Sequence, residues 1–117
     1  DQFLLFENDN NEVIGSGFIP PSFMPDNHDP GLRVYQYNRS HIYDYDQYVI
    51  QLQDTIKQNK IIISKSYSFQ NVYSVEPTRQ GLEILRNNMR TNSTLFQIYC
   101  NQYKMNTHGK CALSLLP

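Results

Sequence analysis

A proline-rich stretch holds the residues whose types come closest to a catalytic group. Asn27, His28 and Asp29 are consecutive in the sequence and lie between Pro25 and Pro30. His28 could act as a general base, with Asp29 as the carboxylate that orients it. No nucleophile motif such as G-x-S-x-G flanks them. We favour a turn in which the Asn and Asp side chains satisfy backbone donors, and we keep catalysis as the competing hypothesis.

The other candidate groups are scattered along the chain. Ser22, in the same proline-rich loop, could be a nucleophile, although serine in such loops usually bonds to the backbone. His41 and His108 lie in separate segments, and no E-x-x-H or H-x-H spacing indicates a metal site. The cluster NDNN at residues 8–11 does not form a calcium loop, because the glycine at the sixth position and the closing glutamate are missing.

Two cysteines and two glycosylation sequons point to an oxidising compartment. Cys100 and Cys111 could form a disulfide around a small loop, worth roughly 3 kcal/mol in the entropic model. Asn38 and Asn92 each begin an N-x-[ST] sequon. Together these features favour a secreted or lysosomal (vacuolar) glycoprotein. A pair of free cytosolic thiols, with sequons that arose by chance in an Asn-rich chain, is the alternative.

Length, composition and charge limit the classes of protein to which this chain can belong. The chain has 117 residues, 39% of them hydrophobic, and a net charge of −1. This length fits one small domain or a piece of a larger one, and the charge gives no reason to expect nucleic-acid binding. No apolar run approaches the ~20 residues of a transmembrane helix. The chain opens on DQFLLF with no visible signal peptide, so we expect a mature product or a fragment.

The sequence predicts mainly strands in the first half of the chain, which positions most of these residues. Residues 3–8 and 13–19 are short apolar runs around the turn residues DNNE, which predicts a β-hairpin. Residues 32–37 alternate as a half-exposed strand does. Residues 41–56 fit either a helix or a strand by periodicity, and the density of Tyr, Val and Ile favours a strand that completes a second hairpin. Residues 53–60 are then predicted as its polar exit.

Helices are predicted in the second half of the chain. Residues 61–73 are compatible with a strand or a helix. Pro77 suits a helix start, and a last helix through Tyr103 can be capped by Asn92 or Ser93. The apolar positions at helical spacing are Leu82, Leu85 and Met89 in the first of these helices, and Leu95, Phe96 and Tyr99 in the second. We therefore predict an α+β fold with a β-hairpin region at 1–60 and a helical region at 61–117.

Five segments, in order, resemble the acid sphingomyelinase-like phosphodiesterases. DQFLLFENDNNEVIGSGFIPPSFMP resembles the strand pair and loop that follow that family's last metal-binding motif. NHDPGLRVYQYN is similar to its N-P-G-x-R-V-Y segment, and DYDQYVIQL to its D-x-x-x-Y-x-x-x-L strand. KSYSF resembles its following helix, and RNNMRTNSTLFQIYC resembles its RMR…LFQ…Y helices. The resemblance covers nearly the whole chain, although His28 and Asp29 interrupt the family's Asn-Pro-Gly pattern.

The resemblance implies that these hairpins and helices complete a calcineurin-like metallophosphoesterase sandwich. In that family two divalent metal ions, usually zinc, activate water for attack on phosphorus. The metal motifs, ending in Gly-His-x-His, would lie just before Asp1, and no residue of this chain matches a metal ligand or catalytic histidine. The expected partner is therefore the N-terminal metallophosphoesterase core of the same protein. The chain alone is expected to be inactive, and the intact protein to hydrolyse sphingomyelin, another phosphodiester, a nucleotide or polyphosphate.

The same resemblance indicates where this chain would meet the substrate. If the first strand leaves the metal site and the second returns, the proline-rich loop lies beside the cleft. Ser22, Phe23, Asn27 and His28 are then candidate substrate-rim residues. Two other readings stay open at this point: a non-catalytic, secreted, β-rich binding module, and a phosphoesterase homologue that has lost its metals.

Overall fold

The computed structural model describes residues 2–24 and 29–103. In these ranges β1 pairs antiparallel with β2, while β3, β4 and β5 form a second antiparallel sheet with β4 in its centre. The chain is therefore a mixed α/β structure, and the larger metallophosphoesterase sandwich stays a prediction. In chain order the elements are β1 (Gln2–Glu7), β2 (Val13–Ile19), β3 (Gly31–Tyr37), β4 (Ile42–Ile50), α1 (Leu52–Gln58), β5 (Ile63–Ser68), α2 (Phe69–Tyr73), α3 (Arg79–Thr91) and α4 (Ser93–Tyr103).

The predicted first hairpin is confirmed, and asparagines build its turn. The Asn8 Oδ1 accepts hydrogen bonds from the backbone N–H groups of Asn10 and Glu12, at 3.0 and 2.9 Å. Asn11 adopts a left-handed backbone with φ of 60°, a conformation that Asn tolerates better than most residues. The hairpin returns the chain so that Ile19 pairs with the second residue of the protein.

The second hairpin is also confirmed, but its exit is not a polar coil. β3 and β4 pair as the alternating pattern predicts. Residues 53–60 are largely exposed, as a polar exit requires, but most of them are helical, because α1 begins at Leu52 and the strand predicted to reach residue 56 ends at Ile50. The Gln51 N–H bonds to the Ile62 carbonyl at 2.8 Å, and the Gln51 carbonyl accepts the Thr55 N–H at 2.9 Å, which starts the helix. Asn59, in a left-handed conformation, ends it.

The ambiguous residues 61–73 contain both a strand and a helix. β5 takes the first part and α2 the second. The resemblance of KSYSF to a helix is wrong for four of its five residues, because Tyr67 and Ser68 pair with Gln47 and Asp46 of β4. β5 thus joins the sheet from beyond residue 60, and α1 precedes it. The predicted order of strands first and helices last is accordingly incorrect.

The last two helices are confirmed, although α3 begins at Arg79, two residues beyond Pro77. The Thr78 Oγ1 accepts the Gly81 N–H at 3.1 Å and caps α3. Of the two cap candidates for α4, Asn92 is the one whose side chain accepts the Leu95 N–H, at 3.0 Å. The predicted apolar faces are inside, since the buried side chains of these helices include Leu82, Leu85, Met89, Phe96 and Tyr99.

The core between the sheets and the helices is largely aromatic. Phe3 of β1 makes an edge-on contact with Tyr99 of α4, with ring centroids 5.5 Å apart. Tyr45 of β4 lies 5.0 Å from Phe69, which lies 4.8 Å from Tyr73. Aromatic pairs at such distances add about 0.5–1.5 kcal/mol each beyond their buried area. These contacts hold the two sheets and the helices in fixed relation, and so position the loop described next.

Candidate functional site

The proline-rich loop is fixed at both of its ends. It leaves β2 opposite Gln2, because Ile19 is the register partner of that residue. The Gly31 N–H donates to the Ser22 carbonyl at 3.1 Å, and the Ile50 N–H donates to the Pro30 carbonyl at 2.8 Å. The loop therefore begins beside the start of β1, as the sequence predicted, and ends on the sheet formed by β3 and β4.

Two of the four predicted rim residues lie in the described part of this loop. The Ser22 hydroxyl accepts the Met24 N–H at 3.0 Å and donates to the Met24 carbonyl at 3.4 Å. That bonding gives Ser22 a turn-forming role. Phe23 and Met24 follow with 64% and 72% of their surface exposed, and form an apolar pair at the protein surface. Asn27 and His28 lie outside the described residues, so the rim as a whole stays a prediction.

An arginine enclosed by aromatic rings lies behind the loop, and sequence reasoning missed its role. The Arg33 guanidinium carbon is 3.9 Å from the centroid of the Tyr45 ring and about 6 Å from the rings of Tyr35 and Phe18. Its Nε donates to the Gln47 Oε1 at 3.1 Å. A guanidinium over several ring faces is stabilised by their quadrupoles. Arg33 therefore joins the β1–β2 hairpin, through Phe18, to the second sheet.

Gln47 completes this cluster inside the protein. Its side chain is 0% exposed, and its amide donates to the carbonyls of Leu32 and Tyr48 at 3.2 and 3.3 Å. A fully buried amide requires such partners. The sequence signal was the alternation of Arg33 and Tyr35, which places both on one face of β3. The alternation alone did not show that this face is the inner one.

A carboxylate on the outer face of the second sheet is bonded on three sides. Asp46 accepts from Ser68 Oγ at 2.6 Å, from Lys65 Nζ at 2.9 Å and from Gln36 Nε2 at 3.0 Å. The hydrogen bond from Ser68, followed by that from Lys65, holds the pKa of Asp46 below its ordinary value. Asp46 therefore remains ionised at acidic pH, which suits a cross-strand tie better than a general acid.

A serine, a histidine and a glutamate form a chain of hydrogen bonds on the surface. Ser40 Oγ is 2.8 Å from His41 Nδ1, and His41 Nε2 is 3.0 Å from Glu76 Oε2. Ser40 Oγ also donates to Asn38 Oδ1 at 2.9 Å. All of these groups are exposed, so the hydrogen bonds between them are open to water. The arrangement ties the second hairpin to the segment before α3, and His41 is a surface histidine as predicted.

Tyrosine hydroxyls line a small internal cavity. It measures about 10 Å³, enough for roughly one water molecule, and Tyr45, Tyr67 and Tyr73 are among the residues around it. The Tyr45 and Tyr67 hydroxyl oxygens are 3.4 Å apart. Burial raises the pKa of all three phenols above the ordinary value. They therefore stay protonated at physiological pH, and act as neutral packing and hydrogen-bonding groups instead of bases.

The predicted covalent sites are partly within the described ranges. Asn38 is exposed at the tip of the second hairpin, where its Oδ1 accepts the backbone N–H groups of Ser40 and His41. Asn92 is exposed at the junction of the last two helices. Cys100 is buried, while Cys111 and His108 lie outside the described residues. Glycosylation of the two asparagines and the Cys100–Cys111 disulfide therefore stay predictions.

Metal ligands and membrane helices were also sought. Within residues 2–24 and 29–103, no three His, Cys, Asp or Glu side chains lie together as a metal site would require. The helices of these ranges include none that is long and apolar enough to cross a bilayer. The residues described here thus do not fit the role of holding the two metal ions.

Comparison with known proteins supplies a distant relative. No family model matches the chain. It is similar to sphingomyelin phosphodiesterase A of Dictyostelium discoideum, with 32% identity over 107 residues. The aligned part is 85% of this chain and 18% of that protein, so the chain spans less than a fifth of the length of this relative. The similarity supports a distant sphingomyelinase-like relationship.

Proposed function

We propose that this chain is the C-terminal part of a metal-dependent phosphodiesterase of the sphingomyelinase type. The observation that carries the proposal is the similarity to sphingomyelin phosphodiesterase A, which extends over 85% of the chain. The five segments that resemble acid sphingomyelinase-like enzymes point to the same type of enzyme. The substrate is a phosphodiester, either a lipid such as sphingomyelin or a nucleotide, and the protein works in a secreted or lysosomal compartment.

The metal ions belong, in this proposal, to the rest of the protein. Two divalent ions, with zinc as the expected metal, would activate water and stabilise charge on the phosphorus oxygens when bound. The described residues offer no group of three ligands for them. This chain therefore supports the catalytic core and shapes the rim, and alone it is expected to be inactive.

The β1–β2 hairpin offers a surface on which that core could pack. Leu4, Phe6 and Ile19 lie on the face opposite the aromatic core, as their pairing with Gly17, Gly15 and Gln2 requires. Phe6 is 52% exposed. An ideal Cβ on either glycine would come 3.5–3.6 Å from its ring, so the ring covers both positions. Within the described residues neither β1 nor β2 pairs with a further strand. An apolar face with two open edges suits a neighbouring sheet of the same protein.

Hydrolysis by the intact protein tests this function. We expect bound zinc by elemental analysis, turnover of a chromogenic phosphodiester and of sphingomyelin, and loss of both activities on chelation. Re-addition of zinc to the chelated protein is the control for irreversible damage. Intact protein that binds no metal and cleaves neither substrate would support a metal-free homologue instead.

The substrate rim has its own test. Replacing His28 or Phe23 with Ala in the intact protein should change kcat/KM more for the bulky lipid than for the small chromogenic diester, because only the larger substrate reaches the loop. Ile84→Ala, an exposed position on α3, is the matched control. Equal kcat/KM values for the variants and the wild type on both substrates would remove these residues from the rim.

A further inference from the structure

The connection between β4 and β5, residues 51–62, projects from the end of its sheet. Ile50 and Ile63, which flank it, are register partners. Its base is tied by the hydrogen bond from the Gln51 N–H to the Ile62 carbonyl, at 2.8 Å, and by that from the Ile62 N–H to the Thr55 Oγ1, at 3.0 Å. α1, which lies within it, buries none of its side chains. The connection is thus a defined projection whose helix is not packed into the core.

The tip of this projection combines apolar and basic side chains. Residues 56–61 read Ile-Lys-Gln-Asn-Lys-Ile, with the left-handed residue at the fourth position reversing the chain. Ile56 and Ile61 are each 72% exposed, and Lys57 and Lys60 are exposed beside them. A single exposed isoleucine needs no explanation. Two of them, separated only by two lysines and two neutral polar residues, form an amphipathic surface.

Acidic side chains lie at the base of the projection, away from residues 56–61 at its tip. Asp54 is in the first turn of α1, and together with Asp29 it lines a shallow depression at the start of the helix. Lys65, further along β5, is already paired with Asp46. The charge that projects furthest is therefore positive, and it stands next to the exposed isoleucines.

We propose that residues 56–61 are a docking surface for the anionic face of a lipid bilayer. Isoleucine side chains can enter the boundary between headgroups and acyl chains, while lysines remain among the phosphates. Each lysine near an anionic leaflet strengthens binding by about fivefold. A protein partner is a poorer match, since protein interfaces are depleted in lysine and enriched in aromatic residues. The inference rests on the proposed function, because a lipid phosphodiesterase must work at a membrane that presents its substrate.

Vesicle sedimentation of the intact protein tests the proposal. The vesicles are phosphatidylcholine alone or phosphatidylcholine with phosphatidylserine, and the variants are Ile56→Ser with Ile61→Ser, and Lys57→Gln with Lys60→Gln. The lysine pair should weaken binding to the anionic vesicles by about twentyfold or more and leave binding to the neutral ones unchanged. The isoleucine pair should weaken binding to both by at least about tenfold. Ile84→Ser and Arg39→Gln, exposed elsewhere, should bind as the wild type does.

Hydrolysis of a soluble chromogenic phosphodiester separates this proposal from the function on which it rests. All variants should keep wild-type turnover of that substrate and a wild-type melting temperature. Wild-type protein that binds vesicles through these residues but cleaves no phosphodiester would overturn the proposed function and leave the docking surface in place. Vesicle binding that is absent, or is the same for the variants and the wild type, would overturn the docking surface. So would a lower melting temperature in the isoleucine variant, since that would show protein packed over the tip.

Discussion

Replacing Arg33 with methionine should destabilise the chain by about 2–5 kcal/mol. The substitution removes a guanidinium that lies 3.9 Å from the Tyr45 ring centroid, which is worth about 1–2 kcal/mol in a partly desolvated setting. It also removes the donor to Gln47 Oε1. Because Gln47 is 0% exposed, its oxygen would be left without that hydrogen bond, at a cost of about 1–3 kcal/mol. Methionine retains part of the apolar stem, so the loss reports mainly on the polar head.

Urea unfolding followed by tyrosine fluorescence measures this loss. The chain has nine tyrosines and no tryptophan, and the emitting residues include the buried Tyr45, Tyr67, Tyr73 and Tyr99. The unfolding midpoint should fall while the slope with urea stays constant, as expected for a change in stability without a change in exposed area. Arg39→Met, at the exposed tip of the second hairpin, is the matched control and should change stability by no more than about 0.5 kcal/mol.

A double-mutant cycle with Gln47→Leu decides whether the two residues act together. Removing both polar groups leaves neither one buried without its partner, so the double variant should be more stable than the sum of the single losses predicts. We expect a coupling free energy of about 1–2 kcal/mol. A coupling below about 0.5 kcal/mol, or an Arg33→Met loss no larger than that of the control, would refute the role assigned to this pair.

Four further outcomes are expected. Gly81→Ala should cost about 2–3 kcal/mol in the same unfolding assay, because its Cβ would come 1.9 Å from the Glu76 carbonyl oxygen; a neutral result would contradict the close approach. The pKa of Asp46 is lower in the folded chain than its ordinary value of 3.8, so its stabilising contribution is complete above that pH and is lost as the pH falls through the folded value. Asp46→Asn should therefore flatten the acid limb of the stability curve, and an unchanged limb would argue against it. Asn92→Ala should cost about 1 kcal/mol through loss of the cap while Asn92→Asp keeps it, and peptide mass spectrometry of secreted protein should show glycan on Asn38 and Asn92.

Local patterns account for the elements that the sequence predicted. The asparagine-rich turn at 8–11, the alternation of β3 and the apolar face of α3 each depend on residues a few positions apart, so a short window contains the whole signal. The start of α3 was predicted to within two residues, because Pro77 indicated it while Thr78 caps the helix and Arg79 begins it.

Non-local pairing explains what the sequence did not reveal. β5 is a strand because Tyr67 and Ser68 find their partners in β4, about twenty residues earlier. α1 carries only Leu52 and Ile56 as apolar residues at helical spacing, and none of its side chains is fully buried, so the competing strand pattern of residues 41–56 was favoured. The contact between Arg33 and Gln47 depends on which face of β3 turns inward, and only the position of the first hairpin decides that. As for the candidate site, the place of the loop beside β1 was predictable from the first hairpin, and the role of its residues stays a prediction.

The attachment of the first hairpin to α3 has a consequence for synthesis on the ribosome. Arg79 Nη1 donates to the Val13 carbonyl at 3.2 Å across 66 positions of sequence, and Arg86 pairs with Glu7 at 2.7 Å across 79. At about 5–20 residues per second, the hairpin emerges roughly 3–16 seconds before the helix that holds it. During that interval Phe3 has no partner, because Tyr99 of α4 is made still later, whereas Phe18 can pack on Tyr35 and Tyr45 as soon as the second hairpin emerges. The inner face of the nascent hairpin thus stays partly uncovered until the last helices are made, and exposed apolar surface of this kind is what chaperones bind.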